Sequence, residues 1–334
     1  IPATKTPLKS IFLGGGTPTH LRLDALQRLV RAISDHFAIE PDVEFSVEAN
    51  PEDITIDLLQ ALASLGINRI SLGVQSFQPS KLKVLQRGHD PAAAVEAIRQ
   101  AAKFIGSVSI DLIFAAPGET LDQWRDDITI AAALPIDHVS TYALTFEKGT
   151  SFWNQSMRGK LRPLHEEVEV DMVQVSSQVL SATGFSQYEI SSFAKPRHRC
   201  RHNQSYWRGD GWYAAVPGAA RFVGGVRQVN HRSPTTYLKR IQTGRDPTSE
   251  CETLSPEQSA RERAAFGIRQ IDGIDLMTIH QLTGVDFAGY LANTIDQLVD
   301  LDLIWCHSNH IQLTSRGLLF ADTVASRLLS DPFI

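Results

Sequence analysis

Residues 11–20 read IFLGGGTPTH, an apolar run that ends in three consecutive glycines followed by Thr17 and Pro18. Without a Cβ, Gly14, Gly15 and Gly16 let backbone amides approach a ligand closely and adopt positive φ, while Thr17 adds a hydroxyl. A glycine run also serves as a plain tight turn, so the other polar residues nearby in the fold decide between the two readings. Four of them stand at or near the ends of later apolar runs. Glu48, in VEANPED, offers a carboxylate to an ammonium or to ribose hydroxyls, or alternatively to a salt bridge beside a helix. Gln75 in SLGVQSF and Arg87 in LQRGHD supply an amide and a guanidinium, a combination suited to a carboxylate. Asp111, in SIDLIFAAPGET, interrupts an apolar strand, where a carboxylate is costly without a partner. An ion pair between Asp111 and Arg87 is the competing structural account.

A second cluster, YEISSFAKPRHRCRHNQSYW at 188–207, sets His198, Cys200 and His202 at alternating positions, with Tyr206 and Trp207 close behind. Haem iron accepts imidazole or thiolate ligands, and aromatic rings pack against porphyrin faces. The same residues equally cap a structural hairpin. A zinc site on His198, Cys200 and His202 is the weaker reading: alternate residues on a strand share a face, but the spacing of helix or knuckle ligands is absent. Asp296, Asp300 and Asp302 read as a solvated face and take no role.

These residues need a frame. Apolar runs at 10–13, 43–47, 69–74, 108–113 and 138–144 alternate with stretches of helical spacing at 23–37, 56–65, 91–104 and 121–133. Such alternation predicts parallel β/α units, read here as buried strands in an incomplete barrel with ligands at the strands' C-terminal ends. One long helix is expected at 165–183, and a specialised loop at 188–207. From about residue 256 helices lead to a β-ribbon at 304–313 and a final helix at 315–329, a winged-helix-like module. The expected division is 1–160 for the partial barrel, 161–245 for its completion with the His-aromatic segment, and 250–334 for the terminal module, with the boundary near 244–253.

In order, GGGTPT, VEANP, GVQSF, LQRGH, IDLIFAAPGET and YALTFEKGT resemble the S-adenosylmethionine (SAM) barrel of the radical SAM proteins of HemW type, haem chaperones related to oxygen-independent coproporphyrinogen oxidase. The run HNQSYW resembles the H-N-x-x-Y-W signature of the haem-binding branch, with His202, Asn203, Tyr206 and Trp207 matching it. The resemblance implies that Gly15, Gly16 and Thr17 meet the methionine end of SAM, while Glu48, Gln75, Arg87, Asp111 and Ala143 line the rest of its site. It implies haem at the signature residues, with His202 as the iron ligand, and a haem-accepting apoprotein as partner. It also implies a 4Fe–4S cluster held by C-x-x-x-C-x-x-C upstream of the glycine run.

That cysteine motif is absent from the sequence, which begins shortly before the glycine run. The chain therefore reads as truncated or degenerate at its amino end and unable to cleave SAM as it stands. Its three cysteines, Cys200, Cys251 and Cys306, are far apart and read as reduced thiols. Ala115 and Ala116 stand where relatives usually carry Gly-Leu, and YAAVPGAA replaces a more Gly-rich stretch, so a narrowed SAM pocket is expected. The net charge of −5 gives no overall field for a polyanion, and no apolar run is long enough for a bilayer, so nucleic acid is not expected and a cytoplasmic site is. The rival functions are a coproporphyrinogen oxidase, whose radical removes a propionate hydrogen, and a non-catalytic adaptor acting through the terminal module.

Overall fold

The computed structural model describes residues 6–159 and 161–330. Two compact units divide between His202 and Asn203. The first contains β1 (Leu8–Leu13), α1 (Leu23–His36), β2 (Ile39–Ala49), α2 (Ile56–Ser64), β3 (Arg69–Gln75), α3 (Pro79–Val84), α4 (Pro91–Phe104) and β4 (Ser107–Phe114). It continues with α5 (Leu121–Ala132), β5 (His138–Ala143), α6 (Ser151–Met157), α7 (Glu166–Ala182), β6 (Ser186–Glu189) and β7 (Ser192–Ala194). The seven strands form a curled half-barrel sheet in the order β1-β2-β3-β4-β5-β7-β6, with the first five parallel and the last two added antiparallel.

Local sequence starts the helices where the strands need them. Asp90 accepts from the Ala92 amide ahead of Pro91, and Thr120 forms a reciprocal capping box with Gln123. Beyond the caps, burial of one strand face holds the layers together. Ile11, Phe45, Val47, Ile70, Leu72, Ile110 and Leu112 pack in one core with Leu26, Leu59, Ile98 and Trp124 from the helices.

The other strand face differs from the sequence expectation of uniformly apolar strands. Register partners Phe12, Ser46, Arg69 and Ser107 form one row across β1 to β4, and Glu48, Ser71, Ser109 and His138 form the next across β2 to β5. Asp111, Ser140 and Ser192 follow across β4, β5 and β7. Partners in register share a face, so the inner wall of the half-barrel is polar while its outer wall is apolar. Helices α1, α2, α4 and α5 pack on the outer wall, which is why the strands alternate instead of reading as apolar throughout. Asp111 is held by the Ser71 hydroxyl at 3.2 Å and by Ser140, not by Arg87, which is exposed. The expected Asp111–Arg87 ion pair does not form among the described residues.

A buried charge cluster anchors two of the turns at the strands' ends. Lys81 on α3 donates to Glu119 and, at 3.1 Å, to Asp127 on α5. Asp127 also accepts from the Ser76 hydroxyl at 2.6 Å and the Phe77 amide at 2.7 Å, while Glu119 accepts from the Ala116 amide at 3.0 Å. The segments that follow β3 and β4 are thus tied to one buried cation.

The second unit opens within α8 (Arg201–Trp207), a helix where the sequence reading expected a specialised loop. It contains β8 (Ala220–Val223), β9 (Val226–Asn230), α9 (Pro234–Gln242) and β10 (Thr248–Thr253), whose strands form a sheet in the order β10-β9-β8. The stretch 244–253 therefore carries a paired strand. After α10 (Pro256–Gly267) come β11 (Ile274–Asp275), α11 (Leu276–Thr283), α12 (Phe287–Tyr290), α13 (Ala292–Asp300), β12 (Ile304–His307), β13 (His310–Leu313), α14 (Ser315–Leu319) and α15 (Ala321–Ser330). Ala264, Ile268, Phe287, Leu298, Val324 and Leu328 are buried in this helical module, whose ribbon has the order β11-β13-β12. The single helix expected at 315–329 is broken at Phe320, and α12 and α13 are likewise parted at Leu291.

Replacing Lys81 with Met leaves two buried carboxylates without their cation and is expected to cost about 3–5 kcal/mol in urea unfolding. An unchanged midpoint would refute the anchoring role. Asp111 behaves differently: burial raises its carboxyl from 3.8 to about 6, outweighing its serine hydrogen bonds. The folded state then keeps a proton that the unfolded chain releases, so this stability is full below about pH 4 and is lost as pH rises through about 6. Asp111→Asn should remove that slope and gain about 1–2 kcal/mol at neutral pH, less than the full shift implies because the side chain keeps some contact with water. Parallel pH–stability curves for the two proteins would contradict it.

Candidate functional site

The polar residues singled out in the sequence gather around the C-terminal ends of the first strands. Gly15 and Gly16 take φ of 79° and 115°, which side chains rarely adopt. A Cβ at Gly14 would stand 2.6 Å from the Phe12 ring and 2.9 Å from a Glu48 oxygen, so the chain passes between them only as glycine. Glu48, near the end of β2, accepts the Gly15 amide at 3.2 Å, and burial raises its carboxyl despite that bond. The Thr17 hydroxyl accepts from the Asn50 amide at 3.3 Å, tying the glycine turn to the residues after β2.

Gln75 ends β3 in a strained turn. Its φ is 65°, and the Ser76 amide bonds back to the Val74 carbonyl at 2.8 Å, a three-residue turn of the uncommon hand. The bonds from Asp127 to Ser76 and Phe77 hold the chain directly after it, so the buried cluster under α3 sustains the strained residue. Asp111 faces the same inner wall, and the Glu48 carboxylate adds to its raised value. Gly15, Gly16, Thr17, Glu48, Gln75 and Asp111 thus line adjoining strand ends. Arg87 and Ala143 are exposed and make no hydrogen bond or ion pair with these groups among the described residues.

Ala115 adopts φ of 61° and is buried in the apolar core, and the Ala116 amide is taken by Glu119. The departure from glycine is met by backbone strain, about 1–2 kcal/mol.

The His-aromatic segment is built around α8. The His202 ring lies on the Phe12 ring of β1, centroids 4.5 Å apart and planes 14° from parallel. Burial lowers its imidazole from the ordinary range, with the Glu44 carboxylate opposing that shift, so the ring is neutral near pH 7. Glu44 of β2 accepts the Arg201 amide at 2.9 Å and the His202 amide at 3.0 Å. In the second unit Tyr206 meets Trp212 edge to face at 4.7 Å, and the Arg269 guanidinium stands 5.1 Å above the Trp207 ring. The Trp207 indole nitrogen is buried with no hydrogen-bond partner among the described residues. Asn203 lies partly buried on the same helix.

His198, Cys200 and His202 do not share a strand face, because the helix begins at Arg201. His198 instead bonds Ser107 at 3.0 Å, and Cys200 is buried with its sulfur 3.6 Å from Glu44. Cys251 and Cys306 are exposed on β10 and β12, in different sheets. No group of three or more His, Cys, Asp or Glu side chains able to hold a metal ion occurs among the described residues. The sequence reading missed Phe12, Glu44, Ser71 and Ser140. Glu44 carried a usable signal, a carboxylate four residues before Glu48 in a run taken as apolar.

Comparison with known proteins identifies the family. The Radical SAM superfamily profile matches residues 3–130, and the HemN C-terminal domain matches 254–320. The Escherichia coli coproporphyrinogen III oxidase HemN, described as a radical SAM enzyme, superposes with a TM-score of 0.83 over 96% of this chain and 78% of its own, at 22% identity. That likeness shows a shared fold. No described helix is long and apolar enough to cross a membrane. The heme chaperone HemW of Lactococcus lactis is 31% identical over 97% of this chain and 85% of its own length. The HemW of Bacillus subtilis is 31% identical over 97% and 86%. With the heme chaperone HemW of Mycobacterium tuberculosis 34% identical over 96% of this chain and 80% of its own length, the chain belongs to the HemW family of radical SAM proteins.

Proposed function

We propose that this chain is a haem-binding chaperone that holds haem at the α8 signature, binds SAM at the strand ends, and passes haem to an apoprotein acceptor. The observation that carries the reading is the His202 imidazole, kept neutral and laid on Phe12 two residues before the glycine turn. Neutral imidazole is the form that ligates iron. His202 would hold the iron, and the resemblance adds Asn203, Tyr206 and Trp207 as further haem-binding residues.

The strand-end residues fit SAM by their chemistry. The glycine turn allows close backbone approach, and Glu48 and Asp111 are two carboxylates with no cation bonded to them among the described residues, suited to a ligand bearing a sulfonium and an ammonium. Gly15, Gly16 and Thr17 would meet the methionine end. Gln75, Arg87 and Ala143 would complete the site, Arg87 through a change of its exposed side chain. When an iron-sulfur cluster reduces it, SAM supplies a deoxyadenosyl radical.

The thiols of this chain do not fit such a cluster, since Cys200 is buried on Glu44 and Cys251 and Cys306 stand in separate sheets. The chain as it stands is therefore proposed to bind SAM without cleaving it. The work left to its own residues is binding and orientation. Glu48 and Asp111 offer charge, and Phe12 and the α8 backbone fix an imidazole.

Titration of the purified chain with ferric haem is expected to give a Soret shift that His202→Ala weakens at least about tenfold, the loss of one metal–ligand bond. An identical titration for the variant would falsify His202 as the ligand. For the SAM reading, Glu48→Gln should weaken SAM binding in calorimetry by about tenfold, the scale of one charge-assisted contact. Equal affinities would remove Glu48 from the site. Anaerobic treatment with iron and sulfide should leave the chain without a reducible cluster signal in electron paramagnetic resonance, and with dithionite and SAM it should form no 5′-deoxyadenosine. Either product would overturn the non-cleaving reading.

A further inference from the structure

The signature histidine is held by a residue far from it in sequence. Glu44 lies on β2, on the inner wall beside Ser10 of β1, and its two oxygens are shared among three donors of one short segment. Oε2 accepts the Arg201 amide at 2.9 Å, and Oε1 accepts the His202 amide at 3.0 Å and lies 3.6 Å from the Cys200 thiol. Two residues earlier on β2, Asp42 takes the Arg201 guanidinium twice at 2.9 Å, through its carbonyl and its carboxylate. A single strand therefore fixes residues 200–202 by backbone and side chain together.

Sequence spacing alone would not orient this histidine. α8 is only seven residues long, too short to persist without tertiary contacts. Its first amides have no partners within the helix and need outside acceptors. A carboxylate with two oxygens 2.9 and 3.0 Å from consecutive amides constrains where the chain enters the helix. That entry point and the Phe12 ring, 4.5 Å away, define the plane in which the His202 imidazole lies.

We infer that Glu44 is the positioning residue for His202, setting the direction of its imidazole by clamping the amides of residues 201 and 202. The inference rests on the reading of His202 as a haem ligand, and it adds a residue outside the signature. Glu44 is engaged by the amides of residues 201 and 202. Its carboxylate works through the backbone, as outer partners of metal ligands commonly do.

Ferric haem titrations of the full chain test it, comparing wild type, Glu44→Gln, Glu44→Ala and His202→Ala. Glutamine matches glutamate in shape but offers one acceptor oxygen, and its NH2 group would face an amide donor. Glu44→Gln is expected to weaken haem binding about fivefold and Glu44→Ala about tenfold, each with a shifted Soret band. Hydrogen exchange at the amides of 201 and 202 in haem-free Glu44→Gln should rise at least about fivefold while β3 and β4 exchange as in wild type, which separates a local clamp from general unfolding. If His202→Ala loses haem while both Glu44 variants keep wild-type affinity and Soret position, this inference falls and the haem-ligand reading stands. Unchanged exchange at 201 and 202 in Glu44→Gln also overturns it. If His202→Ala binds haem as wild type does, the underlying reading falls and takes this inference with it.

Discussion

Five parallel strands paired in register impose a two-residue alternation on the first unit: each inward residue has inward neighbours on the strands beside it. The outward residues are apolar and bury against the helices. Freed from that duty, the inward residues carry Glu44, Glu48, Arg69, Asp111 and a band of serines. A slip of one residue in any strand would bury these polar groups under the helices and expose the core. The site's chemistry is thus a by-product of register, and register is set by the apolar side.

Above this wall the turns need separate support, because strained backbone persists only when its surroundings insist on it. Gln75 and Ala115, both at positive φ, each precede residues held by the Lys81 cluster, whose carboxylates bind Ser76 and Phe77 after one and Ala116 after the other. One buried ammonium, held by two carboxylates, therefore disciplines two adjoining turns. Val216, a β-branched residue at φ of 88°, is held differently: its amide donates to the Tyr237 hydroxyl and its carbonyl accepts from the Asn230 side-chain amide.

The β/α alternation of the first unit was legible because its signals are local. Asp90 with Pro91, and Thr120 with Gln123, mark helix starts within four residues of chain, and the strand cores are compact apolar runs. The ordered motifs likewise identified Gly15, Glu48, Gln75 and Asp111 as neighbours. What stayed hidden depends on distant partners. α8 looked like a loop because the carboxylate that receives its first amides is Glu44, 157 residues earlier. β10, TSECET, is nearly all exposed and polar, so no alternation announced it. The polar inner wall was overlooked because serine in a strand reads as neutral until its register partners are known to be serine, arginine and aspartate too. The broken helices at Leu291 and Phe320 lack any glycine or proline at the break, leaving periodicity with nothing to interrupt it.

Phe12 meets two parts of the first unit at once. One face carries the His202 ring, and its edge borders the notch through which Gly14 passes beside Glu48. One aromatic ring therefore serves both the histidine and the glycine turn, and a change in its size would reach both together. A smaller or larger side chain in place of Phe12 would thus unseat the imidazole and reshape the passage beside Glu48 in the same stroke.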